Sequence, residues 1–235
     1  MKQTFKQFLL EVTDDLDGDF DTFQTKNAKA KRWPEEMWKH IKGTLKTDPE
    51  HKFMGAGSNA YVSKKDNPHH MDYVQRTSSV YDGGALYQMA VLKNKEIQKN
   101  PYAPKILSVD NTNKKYPTIN LEPLVEYSKL KDNEQVLQHY IDKIFIDPTV
   151  NQYQISLLPE EDRLLYQLVG LLRIALRRGG ENIKDQQMLQ LVNFIYNVQD
   201  TVPGKLFIDI HTDNLMWRLS NQGPQLVIID PLAET

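Results

Sequence analysis

The stretch that decides the reading is LFIDIHTDNLMWRLSNQGPQLVIIDPLAET, residues 206–235. Its pattern predicts strand, polar loop, strand, turn, strand. Asp209 and Asn214 lie five apart in the loop, and Asp230 follows the apolar run 226–229. An aspartate can orient and deprotonate a hydroxyl, and an asparagine and a second aspartate offer hard oxygen ligands to Mg²⁺. Phosphoryl transfer from Mg-ATP needs that set. The ordinary alternative for a loop aspartate is a turn or cap residue. Against it, Asp209, His211 and Asn214 are wedged between two apolar triplets. A carboxylate closing a buried strand also needs a cation or a helix N-terminus. His211 reads as structural, bonding nearby backbone, and Asp213 as solvated.

Upstream, Gly55-Ala56-Gly57-Ser58-Asn59-Ala60-Tyr61-Val62 joins two predicted strands within 52–65. Glycine permits close backbone approach, so such a loop can lay its N–H groups over phosphates. Gly55, Gly57, Ser58, Asn59 and Val62 are therefore candidate nucleotide contacts, with a plain hairpin tip as the alternative. Arg76 lies fourteen residues beyond Val62 on the next strand, where a cation could reach the α- and β-phosphates, with a surface arginine on an edge strand as the plain alternative. Glu96, on the following helix, is a candidate partner for Arg76, and Gln88 is an alternative inward polar group. Leu121-Glu122-Pro123-Leu124 ends a strand. Because Pro123 has no N–H, the Glu122 carbonyl and the Leu124 N–H are the candidates for an adenine edge.

The order of elements suggests α+β organisation. Residues 1–50 read as a helical extension, in which Pro34 opens a helix. Residues 51–124 read as a small lobe: a hairpin, a strand (71–79), one helix of about four turns (85–99) and two strands (105–110 and 116–121). Residues 125–235 read as a helical lobe, with apolar periodicity over 133–145, 160–178 and 185–199 and a Gly179-Gly180 stop. The 235 residues carry a net charge of -2, well mixed, which gives no argument for nucleic-acid binding. With no cysteine, disulfides, thiol nucleophiles and Cys-ligated zinc are excluded, and a reducing, cytoplasmic setting fits. The N-terminus is too charged for a signal peptide. The apolar stretch 164–176 contains Gln167 and Arg173 and is too short to span a bilayer.

Taken together, these motifs resemble the protein kinase-like superfamily, which includes aminoglycoside and choline phosphotransferases. GAGSNAYV is similar to the family's glycine-rich loop, with Ala60 where the third glycine usually stands. Asp209-Ile210-His211-Thr212-Asp213-Asn214 resembles the catalytic loop in its D-x-H-x-x-N form, and Ile229-Asp230-Pro231 the metal-binding D-F-G. The likeness is greatest to small Ser/Thr protein kinases encoded by tailed bacteriophages. It implies Asp209 as the catalytic aspartate, Asn214 and Asp230 as Mg²⁺ ligands, and a two-lobed kinase-like fold. Arg76 stands where the family has a strand lysine. Only five residues follow Asp230, which implies a fold truncated after the metal-binding aspartate.

The function these readings imply is Mg-ATP-dependent phosphorylation of a Ser/Thr hydroxyl on a protein, a host protein or the chain itself. Three alternatives stay open. One is a pseudokinase-like module that binds a partner without catalysis, and another is a small-molecule phosphotransferase. The third is a metallohydrolase built on Asp209, His211 and Asp213, with His69 and His70 as further ligands.

Overall fold

Pairing of short alternating strands builds the first part of the chain. The computed structural model describes residues 39, 51–56, 60–65, 73–78, 82–110, 112–113, 116–149, 158–201 and 206–234. Apart from Lys39, the expected N-terminal helices lie outside the described residues, as do Gly57, Ser58 and Asn59. Strands β1 (His51–Ala56), β2 (Ala60–Lys65), β3 (Tyr73–Ser78), β4 (Ile106–Asp110) and β5 (Thr118–Leu121) form one antiparallel sheet in the order β1-β2-β3-β5-β4. Directly paired residues share a face. Gly55, Val62, Arg76, Ile119 and Val109 thus form one rung across all five strands.

Between β3 and β4 the expected single helix is broken in two. Helix α1 (Gly83–Lys93) ends at Asn94, whose side chain accepts hydrogen bonds from the Glu96 and Ile97 N–H groups and so starts α2 (Lys95–Gln98). An asparagine side chain that competes for backbone donors favours a cap over a helix interior, and periodicity alone does not reveal the break.

The second part is helical, with α3 (Asn133–Ile144), α4 (Glu160–Arg177) and α5 (Gln186–Asp200). Their apolar faces bury Leu137, Ile141, Leu168, Leu172, Val192 and Ile195. Gly179 and Gly180 both take positive φ, and the Gly180 N–H closes the end of α4 on the Ala175 carbonyl at 2.8 Å. This is the two-lobed α+β plan that the resemblance implies: a small antiparallel-sheet lobe and a helical part. One hydrophobic cluster runs through both, from Ala85 and Ile119 to Leu168 and Ile195. Among the described residues no helix is long and apolar enough to cross a membrane.

The C-terminal segment folds as two small ladders. Strand β6 (Leu206–Ile208) pairs with β9 (Leu232–Glu234), and β7 (Leu215–Ser220) pairs with β8 (Gly223–Ile228). The sequence pattern does not announce β9, because three residues are too few to display an alternation. Polar ties hold these ladders to the rest. Val125 and Trp217 exchange backbone hydrogen bonds of 2.9 Å each. Arg218 grips the Glu122 carboxylate with Nε to Oε2 at 2.6 Å and Nη2 to Oε1 at 2.5 Å, and it also donates to the Pro101 and Ala103 carbonyls. Away from the ladders, Asp185 caps α5 with one carboxylate oxygen and accepts the Tyr102 hydroxyl at 2.8 Å with the other.

Removing one member of a largely enclosed ion pair leaves its partner's charge uncompensated. Arg218→Ala is therefore expected to lower unfolding stability by about 3 kcal/mol, read by urea denaturation. A loss below about 1 kcal/mol, the range of an exposed pair, would show that the clamp is not structural.

Candidate active site

The site begins with a charge in the sheet. Arg76, on the central rung of β3, is buried. A guanidinium cannot lose its proton here, so burial requires anionic partners. Two are present. Arg76 Nη2 lies 2.6 Å from Asp82 Oδ2 and 3.0 Å from Asp230 Oδ2, while Nη1 donates to Ser78 Oγ at 3.2 Å. Burial pulls the Arg76 pKa down, but the two carboxylates more than offset it and hold it above its usual value.

Asp82 is the N-cap of α1, its Oδ1 accepting the Gly84 N–H at 3.1 Å. One side chain therefore caps the helix and holds the strand cation. The glycines that follow are needed for contact. A Cβ on Gly84 would fall 1.8 Å from Asp230 Oδ1, and one on Gly83 would fall 2.6 Å from the Leu232 carbonyl oxygen. Only glycine lets the first turn of α1 press against Asp230 and β9. Farther along the helix, Tyr87 donates to the Ile228 carbonyl at 3.3 Å and Gln88 to the Ile229 carbonyl at 3.1 Å.

The catalytic-loop candidates meet this cluster through backbone bonds. Asn214 closes a short 3₁₀ turn (Thr212–Asn214) and is buried. Its Nδ2 donates to the Asp209 carbonyl at 2.6 Å, its own carbonyl accepts the Ile229 N–H at 3.0 Å, and the Asp209 N–H donates to the Pro231 carbonyl at 2.8 Å. Asp209, Asn214 and Asp230 are thus laced together, and Arg76 joins them through Asp230. From α4, Arg173 Nε donates to the Ile210 carbonyl at 2.5 Å and supports the loop from behind. The Asp209 carboxylate stays 40% exposed, free to meet a second molecule.

The electrostatics of the cluster are unbalanced: one guanidinium faces two carboxylates. Asp230 Oδ1 is enclosed and has no hydrogen-bond partner. Its pKa is pushed up to about 7, first by burial and then by the negative charges of Asp82 and Asp209, which together outweigh the opposing pull of Arg76. An orphaned carboxylate oxygen beside an excess negative charge suits a divalent cation. With Nδ2 committed to Asp209, Asn214 keeps its Oδ1 for ligation, an orientation assigned from the hydrogen-bond network. Two protein oxygens are what Mg²⁺ usually takes alongside phosphate and water.

Other sequence expectations fall differently. Glu96 does not meet Arg76: it sits on α2, exposed, and pairs with Lys99 at 3.2 Å. The acid that does meet Arg76 is Asp82, and its signal was present in the sequence as a cap residue ahead of two glycines and an apolar helix. Gln88 is inward but bonds the Ile229 carbonyl, with its Oε1 buried and unpartnered. The Glu122 side chain is taken by Arg218. Among the described residues the Glu122 carbonyl and the Leu124 N–H make no backbone–backbone hydrogen bond. Val62 stands directly opposite Arg76, and Gly55 opposite Val62. His211 lies 3.8 Å from Asp209 and 3.6 Å from Asp213. No group of three or more His, Asp or Glu among the described residues is disposed to hold a metal, so these three do not form the hydrolase centre of the alternative reading. His69 and His70 lie outside the described residues.

No protein-family model matches the chain, and no characterised protein matches it in sequence. Among solved structures it is similar to the kinase PK-1 of Cydia pomonella granulovirus, at 10% sequence identity and a TM-score of 0.38, over 86% of this chain and 60% of that one. It is also similar to the aminoglycoside phosphotransferase APH(4)-Ia, at 11% identity and a TM-score of 0.37, over 85% of this chain and 73% of that one. A third likeness is to an aminoglycoside 2'-phosphotransferase solved with GDP, at 12% identity and a TM-score of 0.35, over 84% and 73% of the two chains. At these TM-scores the likeness assigns no chemistry to any residue.

The raised Asp230 pKa has a testable sign. Between the ordinary carboxylate value and about 7 the folded chain holds a proton that the unfolded chain releases. That contribution to stability is present at low pH and is lost as pH rises through 7. In chelator-treated buffer, Asp230→Asn is expected to melt above wild type at pH 8, with the gap shrinking as pH falls towards 5. A gap that widens on acidification would mean that pairing with Arg76 outweighs burial.

Proposed function

We propose that the chain transfers the γ-phosphoryl group of ATP to an alcohol hydroxyl, with Mg²⁺ held by Asp230 and Asn214. The observation that carries this is the enclosed, unpartnered Asp230 Oδ1 in a cluster with one negative charge in excess, laced through backbone bonds to a half-exposed Asp209. Held there, Mg²⁺ would supply the charge neutralisation of the phosphate oxygens that this reaction demands. The chain's own groups supply the rest. Arg76 offers a fixed cation beside Asp230, and the Glu122 carbonyl and Leu124 N–H offer an acceptor and a donor for the base. Gly55 lies on the same rung of the sheet as Arg76, which suits a role beside the phosphates.

Asp209 orients the acceptor hydroxyl and takes its proton as the oxygen attacks the γ-phosphorus, while the bond from that phosphorus to the bridging oxygen breaks and ADP leaves with its electron pair. Its backbone is clamped on both sides, by Asn214 Nδ2 on the carbonyl and Pro231 on the N–H, while its carboxylate stays open. That division suits a base that must reach a second substrate without moving its own main chain. The acceptor we infer is a Ser/Thr hydroxyl of a protein, a reading supported by the D-x-H-x-x-N and D-P motifs. A small-molecule alcohol would use the same groups.

Incubation with γ-labelled ATP and Mg²⁺, alone, with cell extract and with a panel of hydroxylated small molecules, separates these acceptors. Label is expected on protein. Label only on a small molecule moves the acceptor class, and no transfer to any acceptor overturns the proposal. Asp209→Ala is expected to cut transfer by at least about 100-fold while Mg-ATP still raises the melting temperature.

A further inference from the structure

Arg173 carries a charge that the phosphoryl-transfer reading leaves idle. It lies in the last turns of α4 and is exposed. Its Nε donates to the carbonyl of Ile210, the residue directly after Asp209. Among the described residues its terminal nitrogens, Nη1 and Nη2, have no hydrogen-bond or ion-pair partner. A helix C-terminus favours cations, and that accounts for Arg177, one turn on, without a ligand. Arg173 differs, because its side chain reaches the loop that carries the candidate base. That loop is acidic: Asp209 is 40% exposed, and Asp213 lies in the adjoining 3₁₀ turn. A further carboxylate arriving beside Asp209 is repelled unless a cation receives it.

Resting on that reading, we propose that Arg173 determines acceptor specificity by binding an acidic side chain one or two residues from the hydroxyl that Asp209 activates. The preferred acceptor is then a Ser or Thr in an acidic stretch of a protein. With Nε committed to Ile210, Nη1 and Nη2 still form a planar fork that receives a carboxylate on two bonds. In an extended peptide, side chains two positions apart share a face and stand about 7 Å apart. That spacing suits a guanidinium held on the carbonyl next to Asp209.

Synthetic peptides with one Ser or Thr, flanked within two positions by Asp, by Ala or by Lys, test this with Mg-ATP and the full chain. Wild type is expected to phosphorylate the Asp series with kcat/KM about tenfold above the Ala series, the scale of one charge-assisted hydrogen bond, with the difference in KM. Glutamine places an amide nitrogen where arginine has Nε, so Arg173→Gln retains a donor for Ile210 and removes the fork. It is expected to bring the Asp-to-Ala ratio close to one, whereas Arg177→Gln leaves most of that ratio in place. A merely structural Arg173 changes both series in the same proportion, and that result overturns the proposal. A ratio lost equally in Arg177→Gln reports only the general field and overturns it too, as does a wild type that favours the Lys series or treats all three alike. Label on protein in cell extract with none on the Asp series overturns the proposal alone. No label on any acceptor overturns the phosphoryl-transfer reading with it, so the two failures are told apart. Should Arg173→Gln not fold, ¹⁵N NMR of wild type decides. The Asp peptide is expected to protect the Arg173 guanidinium protons from exchange and the Lys peptide to leave them unprotected, and no difference between the two overturns the proposal.

Discussion

A buried guanidinium shared by two carboxylates is the constraint on which the rest of this structure turns. Arg76 sits in the middle of a five-stranded sheet, where an unpaired charge would be prohibitive. Its two partners lie far apart in the chain. Asp82 is six residues downstream, and Asp230 is separated from Arg76 by 154 positions. Meeting both forces α1 to begin beside Asp230, just beyond the end of β8, and that closeness demands Gly83 and Gly84. Pairing alone is weak evidence of stabilisation, because desolvation of three charges opposes it. What the cluster supplies is placement: it fixes sheet, helix and C-terminal ladders at one point.

Around that point the work is divided between backbone and side chain. Main-chain bonds tie Ile229 to Asn214 and Pro231 to Asp209, and the Asn214 side chain adds its Nδ2 to the Asp209 carbonyl. Glu122 shows the reverse division. Its carboxylate is consumed by Arg218, while its carbonyl faces no partner among the described residues. A residue can therefore be structural through its side chain and available to a ligand through its backbone.

Much of this was legible in the sequence because it depends on local pattern. The alternation in 52–65, 71–79 and 116–121 marks paired strands, and the heptad-like spacing in 160–178 marks a helix with one buried face. The D-x-H-x-x-N loop and the later Asp230 could be linked because order along the chain carries that information. The partner of Arg76 could not be read in the same way. Glu96 has the right charge in the helical stretch after the strand, but the break at Asn94 places it on a separate, exposed turn. Asp82 looks like an ordinary cap until three dimensions bring Asp230 beside it. Strand β9 and the Arg218–Glu122 clamp are likewise products of long-range pairing, with no local signature.

The central claim is that Asp230 and Asn214 hold a divalent cation together with a nucleotide. A crystal structure with Mn²⁺ and a non-hydrolysable ATP analogue tests it most directly through the metal's anomalous signal. The account predicts one strong peak between Asp230 Oδ1 and Asn214 Oδ1, with Arg76 still paired to Asp82. A bound nucleotide with no metal at Asp230, or a metal bound elsewhere while Asp230 stays locked to Arg76, would contradict it.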